Sequence, residues 1–194
     1  MLDRFIPVYE VGGRHHIRVS APAAITLEAA REMDLLQAPV VRAIIRLREL
    51  VLGATPDGQT RPRGLLEEVQ ALGWGMLAEI PDREIVVGAV TQPWKANVVF
   101  RALPPGAFAA FDEPGYVKIV WTLRADPIGA TESVFSTETR VIATDPAARA
   151  RFRGYWSFFS PGMMLIRWVS LWPLKREAER RAGERSAVSD MFAR

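Results

Sequence analysis

A strand that feeds directly into a long helix constrains this chain more than any other feature. From Ser133 to Thr144, β-branched and hydroxyl residues alternate, which predicts an extended strand. Asp145 and Pro146 follow at once. An aspartate carboxylate can accept from the unpaired N–H groups of a first helical turn, and proline suits the first helical position. Apolar residues then recur at helical spacing through Phe152, Tyr155, Trp156, Phe159, Met163 and Ile166. The expectation is an antiparallel sheet closed by one C-terminal helix, with space for a pocket between them.

Upstream, a first strand is expected over 14–20, with His15, Ile17 and Val19 on one face and His16, Arg18 and Ser20 on the other. Thr26 is placed as the cap of a short helix to about Met33. A second helix is expected from Pro39 to Leu52, where Val40, Ala43, Ile44, Leu47 and Val51 form an apolar stripe stopped by Gly53. A third short helix covers 65–72. Strands are expected at 74–80, 84–91, 97–103, 116–124 and 133–144, with a helical turn at 107–111. Strands and helices segregated in this way predict an α+β fold of one domain, which 194 residues can fill. Its limits are a leader at 1–13, the domain at 14–182 and a flexible tail at 183–194.

Composition excludes several classes. There is no cysteine, hence no disulfide, thiol nucleophile or thiolate metal site. The N-terminal residues carry Asp3, Arg4 and Glu10 without a continuous apolar stretch, so no signal peptide is expected and the cytoplasm is the default place. The net charge is +3 and the pI about 9.7, but Arg176, Arg180 and Arg181 interleave with Glu177, Glu179 and Glu184 as on a solvated helix face. No nucleic-acid-binding signature accompanies them. No phosphate loop, dinucleotide fingerprint or zinc motif is present, so neither cofactor nor metal is expected.

The order of elements resembles the START-like, or SRPBCC, superfamily with its helix-grip fold. The resemblance rests on the opening strand into Ser20, Ala21 and Pro22, on 138–141 followed by Asp145 and Pro146, and on Phe152, Arg153, Gly154, Tyr155 and Trp156. Ser160, Pro161 and Gly162, then Ile166 and Arg167, and the run from Lys175 to Glu179 complete it. It implies a curved antiparallel sheet packed around the long C-terminal helix, and a cavity between them for a hydrophobic or amphipathic small molecule. Two alternatives stay open. One is a polyketide cyclase- or dehydratase-like enzyme with His15 as its base. The other is an interaction module whose C-terminal helix docks a partner, a second copy of the chain or a membrane surface.

The candidate ligand-binding residues are His15, Trp74, Trp94, Phe100, Trp121, Thr137, Thr139, Tyr155 and Phe159. Flat rings give large contact area and an indole N–H can orient a polar group. Trp121 alternates with Val117, Ile119 and Leu123 on an apolar strand face, and Thr137 and Thr139 add hydroxyls beside Phe135 and Val141. Each also has a plainer role, the rings as core and the threonines as locally bonded hydroxyls. Glu138 and Arg140 share the opposite face and are expected to pair there.

The run from Met163 to Leu174 is apolar nearly all round. At about 18 Å it is too short for the roughly 30 Å hydrocarbon core. Pro161 and Pro173 are expected to kink or restart the helix. The loop 54–63 is expected to be either a gate at the cavity mouth or an ordinary connector.

Overall fold

The computed structural model describes residues 1–34, 38–54 and 64–192, with side chains to residue 187. The proposed gate, apart from Ala54, therefore lies outside the described residues. In chain order the elements are β1 (Val11–Val19), α1 (Ala23–Glu32), α2 (Pro39–Leu52), α3 (Leu65–Ala71), β2 (Gly75–Ile80), β3 (Glu84–Thr91), β4 (Phe100–Arg101), α4 (Pro105–Ala110), β5 (Val117–Pro127), β6 (Ser133–Ala143) and α5 (Pro146–Phe192). A 3-10 turn at Leu2–Arg4 precedes them.

The sheet is antiparallel throughout, in the order β1-β6-β5-β3-β2, with β4 paired to the end of β3. The architecture is the expected α+β helix-grip arrangement, and the likeness to the START-like fold holds at that level. β6 pairs β1 on one side and β5 on the other, and its alternation sets two faces. Phe135, Thr137, Thr139 and Val141 look toward α5. Glu138 and Arg140 look away, where Arg140 pairs with Glu138 at 2.7 Å and with Asp3 at 2.6 Å.

α5 starts as the sequence expects. Asp145 Oδ1 accepts from the backbone N–H groups of Ala147 and Ala148, at 2.7 and 2.9 Å. It then continues through Pro161, Pro173 and Gly183 to Phe192 as one helix, so it does not restart at the prolines. Each proline removes one backbone donor, and the rest of the ladder carries the helix past it. Farther along, Lys175 donates to the Arg18 carbonyl at 2.8 Å, and Glu179 accepts from the Ser20 backbone at 2.9 Å. Arg181 and Arg185 pair with Glu32 and Glu28 of α1. These contacts fasten the C-terminal half of α5 to the end of β1 and to α1.

Three further expectations are corrected. α1 begins at Ala23 behind Pro22, so Thr26 lies inside it and caps nothing. Its buried hydroxyl meets Ser133 Oγ at 2.8 Å. Ser133 spends its one hydroxyl hydrogen on the Ala21 carbonyl at 2.9 Å, so Thr26 must be the donor. The strand expected over 97–103 shrinks to Phe100 and Arg101, because only these pair with β3. The first strand begins at Val11, and Leu2, Phe5 and Ile6 ahead of it are buried. They join Val86, Val90, Val120 and Phe108 in a core on the side of the sheet away from α5.

On the α5 side the core divides. One cluster gathers Phe152 and Ala148 against Val117 and Val141, at the start of the helix. The other gathers Leu171, Leu174 and Ala178 against α1, α3, Phe135 and Leu123. Between Phe152 and Leu171 no residue of α5 is buried.

Candidate functional site

The interval between the two clusters is the candidate site. Its floor is laid by register. Gly13 of β1 stands opposite Thr139 of β6, and His15 opposite Thr137. Thr139 in turn stands opposite Trp121 of β5. Alternation turns all five toward α5. The Trp121 indole N–H donates to Thr137 Oγ1 at 2.5 Å, which fixes the ring across the two strands. Thr139 has no such partner. Its Oγ1 is buried without a hydrogen bond among the described residues, although the residue is only 8% exposed. Burying a hydroxyl unpaired costs about 1–3 kcal/mol, so an orphan of this kind asks for a reason.

Arg167 forms part of the roof. It belongs to the inward stripe of α5, four residues after Met163 and four before Leu171. A Cβ built on Gly13 would lie 3.0 Å from Arg167 Nη1, so the missing side chain of Gly13 gives the guanidinium its room. Among the described residues Arg167 has no hydrogen-bonding or ion-pairing partner. Burial alone holds its pKa below the ordinary arginine value, and no carboxylate offsets that. His15 is shifted down as well, first by burial, then by the Arg167 charge and then by His16. A neutral imidazole that can accept a hydrogen bond or a proton therefore sits within the field of an unpaired cation.

The nine expected site residues fall into three places. His15, Trp121, Thr137 and Thr139 come together on the floor. Tyr155 and Phe159 form an aromatic column on α5 with ring centroids 4.8 Å apart, next to Phe152. Arg48 of α2 reaches the Tyr155 hydroxyl at 3.3 Å and the Pro93 carbonyl at 3.1 Å, tying α2 over that end. Trp94 packs with the first cluster there. Trp74 and Phe100 stack on each other at 5.3 Å beside β2 and β4, with Trp74 against the second cluster. They are not part of the floor. Glu79 of β2 pairs with Arg31 of α1 at 3.0 Å.

Arg167 was not singled out as a site residue from sequence. The signal was present: it is the one charged residue of the inward series Phe152, Trp156, Phe159, Met163, Arg167, Leu171, Leu174 and Ala178. Two hollows of about 500 and about 560 Å³ lie elsewhere, along α1 and its junctions with α3 and α5. Arg185 pairs with Glu28 in the wall of one, and Arg181 with Glu32 in the wall of the other. Among the described residues, buried side-chain atoms without a hydrogen bond are Thr139 Oγ1 at the helix–sheet interval and, away from it, Glu10 Oε2 and Arg101 Nε, whose side chains pair through their other atoms with Arg149 and Glu113. No cluster of three or more metal-ligating side chains occurs among the described residues.

No family model and no curated protein matches the sequence. Among solved structures the chain is similar to a norcoclaurine synthase mutant from Thalictrum flavum in complex with a transition-state analogue. That likeness has 12% identity and a TM-score of 0.39, and covers 88% of this chain and 96% of the other. A Chromobacterium violaceum protein gives 13% identity and a TM-score of 0.35, over 87% and 96% of the two chains. An aromatase/cyclase from Streptomyces sp. R1128 gives 16% identity and a TM-score of 0.26, over 88% and 94%. At such scores these likenesses carry no argument of their own. The fold rests on the sheet order and on α5.

Proposed function

We propose that this protein binds a hydrophobic or amphipathic small molecule between the sheet and the middle of α5, without acting chemically on it, and that it does so in the cytoplasm. One observation carries the proposal: the α5 side is packed at both ends and left half-buried between them, over a floor that holds an unsatisfied Thr139 hydroxyl. A filled structural core would bury the middle of α5 and bond that hydroxyl. Native mass spectrometry of protein purified from its own host tests this. A retained organic mass is expected, and a pure empty monomer that also fails to bind N-phenyl-1-naphthylamine, an uncharged fluorescent probe, would end the proposal. A compound recovered chemically altered would replace it with the cyclase- or dehydratase-like alternative, in which His15 accepts the proton.

A second reading concerns the outside of α5. Phe158, Met164, Leu165, Trp168 and Trp172 are all exposed, Trp168 at 60% and Trp172 at 51%. Their spacing sets them on one stripe about 21 Å long. From Pro146 to Arg176 the sequence holds six cations and no acid. Aromatic residues flanked by arginines that have no ion-pairing partner among the described residues, such as Arg151, Arg153 and Arg176, suit the surface of an anionic membrane. No helix among the described residues is long and apolar enough to cross one. We therefore infer a peripheral contact through this stripe. Co-sedimentation with vesicles containing phosphatidylglycerol, lost with pure phosphatidylcholine and in a Trp168→Ser, Trp172→Ser variant, is the expected result. A dimer in solution that the same variant dissolves would instead make the stripe a contact between copies of the chain.

A further inference from the structure

We propose that the molecule received between the sheet and α5 is an amphipathic organic acid, its apolar body against Trp121, Tyr155 and Phe159 and its single carboxylate held by Arg167 and the Thr139 hydroxyl. This rests on the binding reading given above and adds the ligand's charge and its orientation.

The argument is one of unmet demand. A half-buried guanidinium with no acid near it is costly, because it has lost water without gaining a counter-charge. The chain has 22 acidic residues, and among the described ones none is aimed at Arg167. Gly13 clears the space in which Nη1 sits, and the residue opposite Gly13 is Thr139, whose buried hydroxyl is also unpaired. One cation with several N–H donors and one hydroxyl donor thus meet at the same cross-strand step. A planar carboxylate satisfies both, because one oxygen can take the guanidinium and the other the hydroxyl. Charge sets the count. Arg167 supplies one positive charge and His15 is held toward neutral, so a monoanion balances the site while a phosphate dianion would leave a charge uncompensated.

The bound carboxylate would change His15 in a defined direction. The groups acting on His15 are Arg167 from α5 and His16 beside it in β1, while the facing residue of β6 is the uncharged Thr137. Neutralising Arg167 removes one cause of the lowered pKa, so binding should raise it.

The test compares cis-parinaric acid, a fluorescent carboxylate, with its methyl ester, and uses N-phenyl-1-naphthylamine as the uncharged control. The wild-type chain should bind the acid about 10- to 100-fold more tightly than the ester, the ratio expected for hydrogen bonds to a charged group. Arg167→Met should abolish that preference, read as the ratio of acid to ester affinity within the variant, with circular dichroism showing that it is folded. Thr139→Val should remove a smaller part, about three- to tenfold, and Arg167→Lys should restore some of the preference. Proton NMR of the two imidazoles should show the His15 pKa rising with the acid and not with the ester, with His16 on the opposite face as internal reference. Naphthylamine binding with no preference for the acid, or a preference that survives Arg167→Met, overturns this inference and leaves the binding reading standing. Failure of all three probes to bind overturns both.

Discussion

The two ends of α5 and its middle are built from the same residue types, yet they do different work. At the ends Phe152, Leu174 and Ala178 are 2%, 1% and 0% exposed and lie in closed clusters with the sheet and α1. In the middle Tyr155, Phe159 and Met163 are only half-buried, and the inward series includes an arginine. Packed ends hold the helix against the sheet, so the middle is free to be suboptimal. A site that must receive another molecule needs such freedom, because a complete core has nothing left to bind.

Substitutions separate these two roles. Phe152→Ala should have the largest effect, a loss of about 3–5 kcal/mol in chemical denaturation, because it opens a cavity in a closed cluster. A loss under about 1 kcal/mol would mean that the helix end does not hold the fold. Trp121→Ala should cost less, about 2–3 kcal/mol, since the ring is half-buried and Thr137 loses only one donor. If it cost as much as Phe152→Ala, the floor would belong to the core and not to a site.

A smaller effect is expected from pH. Burial and Arg167 hold the folded pKa of His15 below 6.5, so the unfolded chain takes up this proton first. His15 therefore contributes stability in full above about pH 6.5, and the contribution is lost as the pH falls through the folded value. His15→Gln should flatten that part of the stability profile, whereas His16→Gln, which removes only the last of the three causes, should change it less. Arg167→Met should change stability by less than about 1 kcal/mol or raise it, because it removes an uncompensated half-buried charge. A large loss would show that Arg167 is a structural residue with a partner in solution. Smallest of all, Trp168→Ser with Trp172→Ser should stay within about 0.5 kcal/mol, as both rings already meet solvent.

Much of the fold was legible because it is local. Asp145 caps the helix it was expected to cap, α2 spans Pro39–Leu52 and β3 spans Glu84–Thr91. In each case short-range chemistry, a carboxylate at a helix start, a 3.6-residue stripe or a β-branched run, settles the structure. The inward facing of His15, Trp121, Thr137 and Thr139 was legible for the same reason, since alternation along a strand is a property of the backbone. Other features depend on partners far away in sequence. The sequence around Pro161 and Pro173 argues for a kink or a restart, yet α5 is one helix through both, and contacts with β1 and α1 hold the part beyond Pro173. Residues 1–13 were expected to be a leader, and within them Leu2, Phe5 and Ile6 pack with Phe108 of α4 over the apolar sheet face of Val86, Val90 and Val120.

The candidate site divides in the same way. Sequence alone determined which side chains share the inner face of each strand and which share the inner stripe of the helix, because both follow from backbone periodicity. Only the tertiary structure decided that Gly13 faces Thr139 across the strands, that Arg167 comes down over Gly13, and that neither Arg167 nor Thr139 Oγ1 finds a partner among the described residues. A charge or hydroxyl becomes costly only when distant elements exclude water from it without replacing what water supplied.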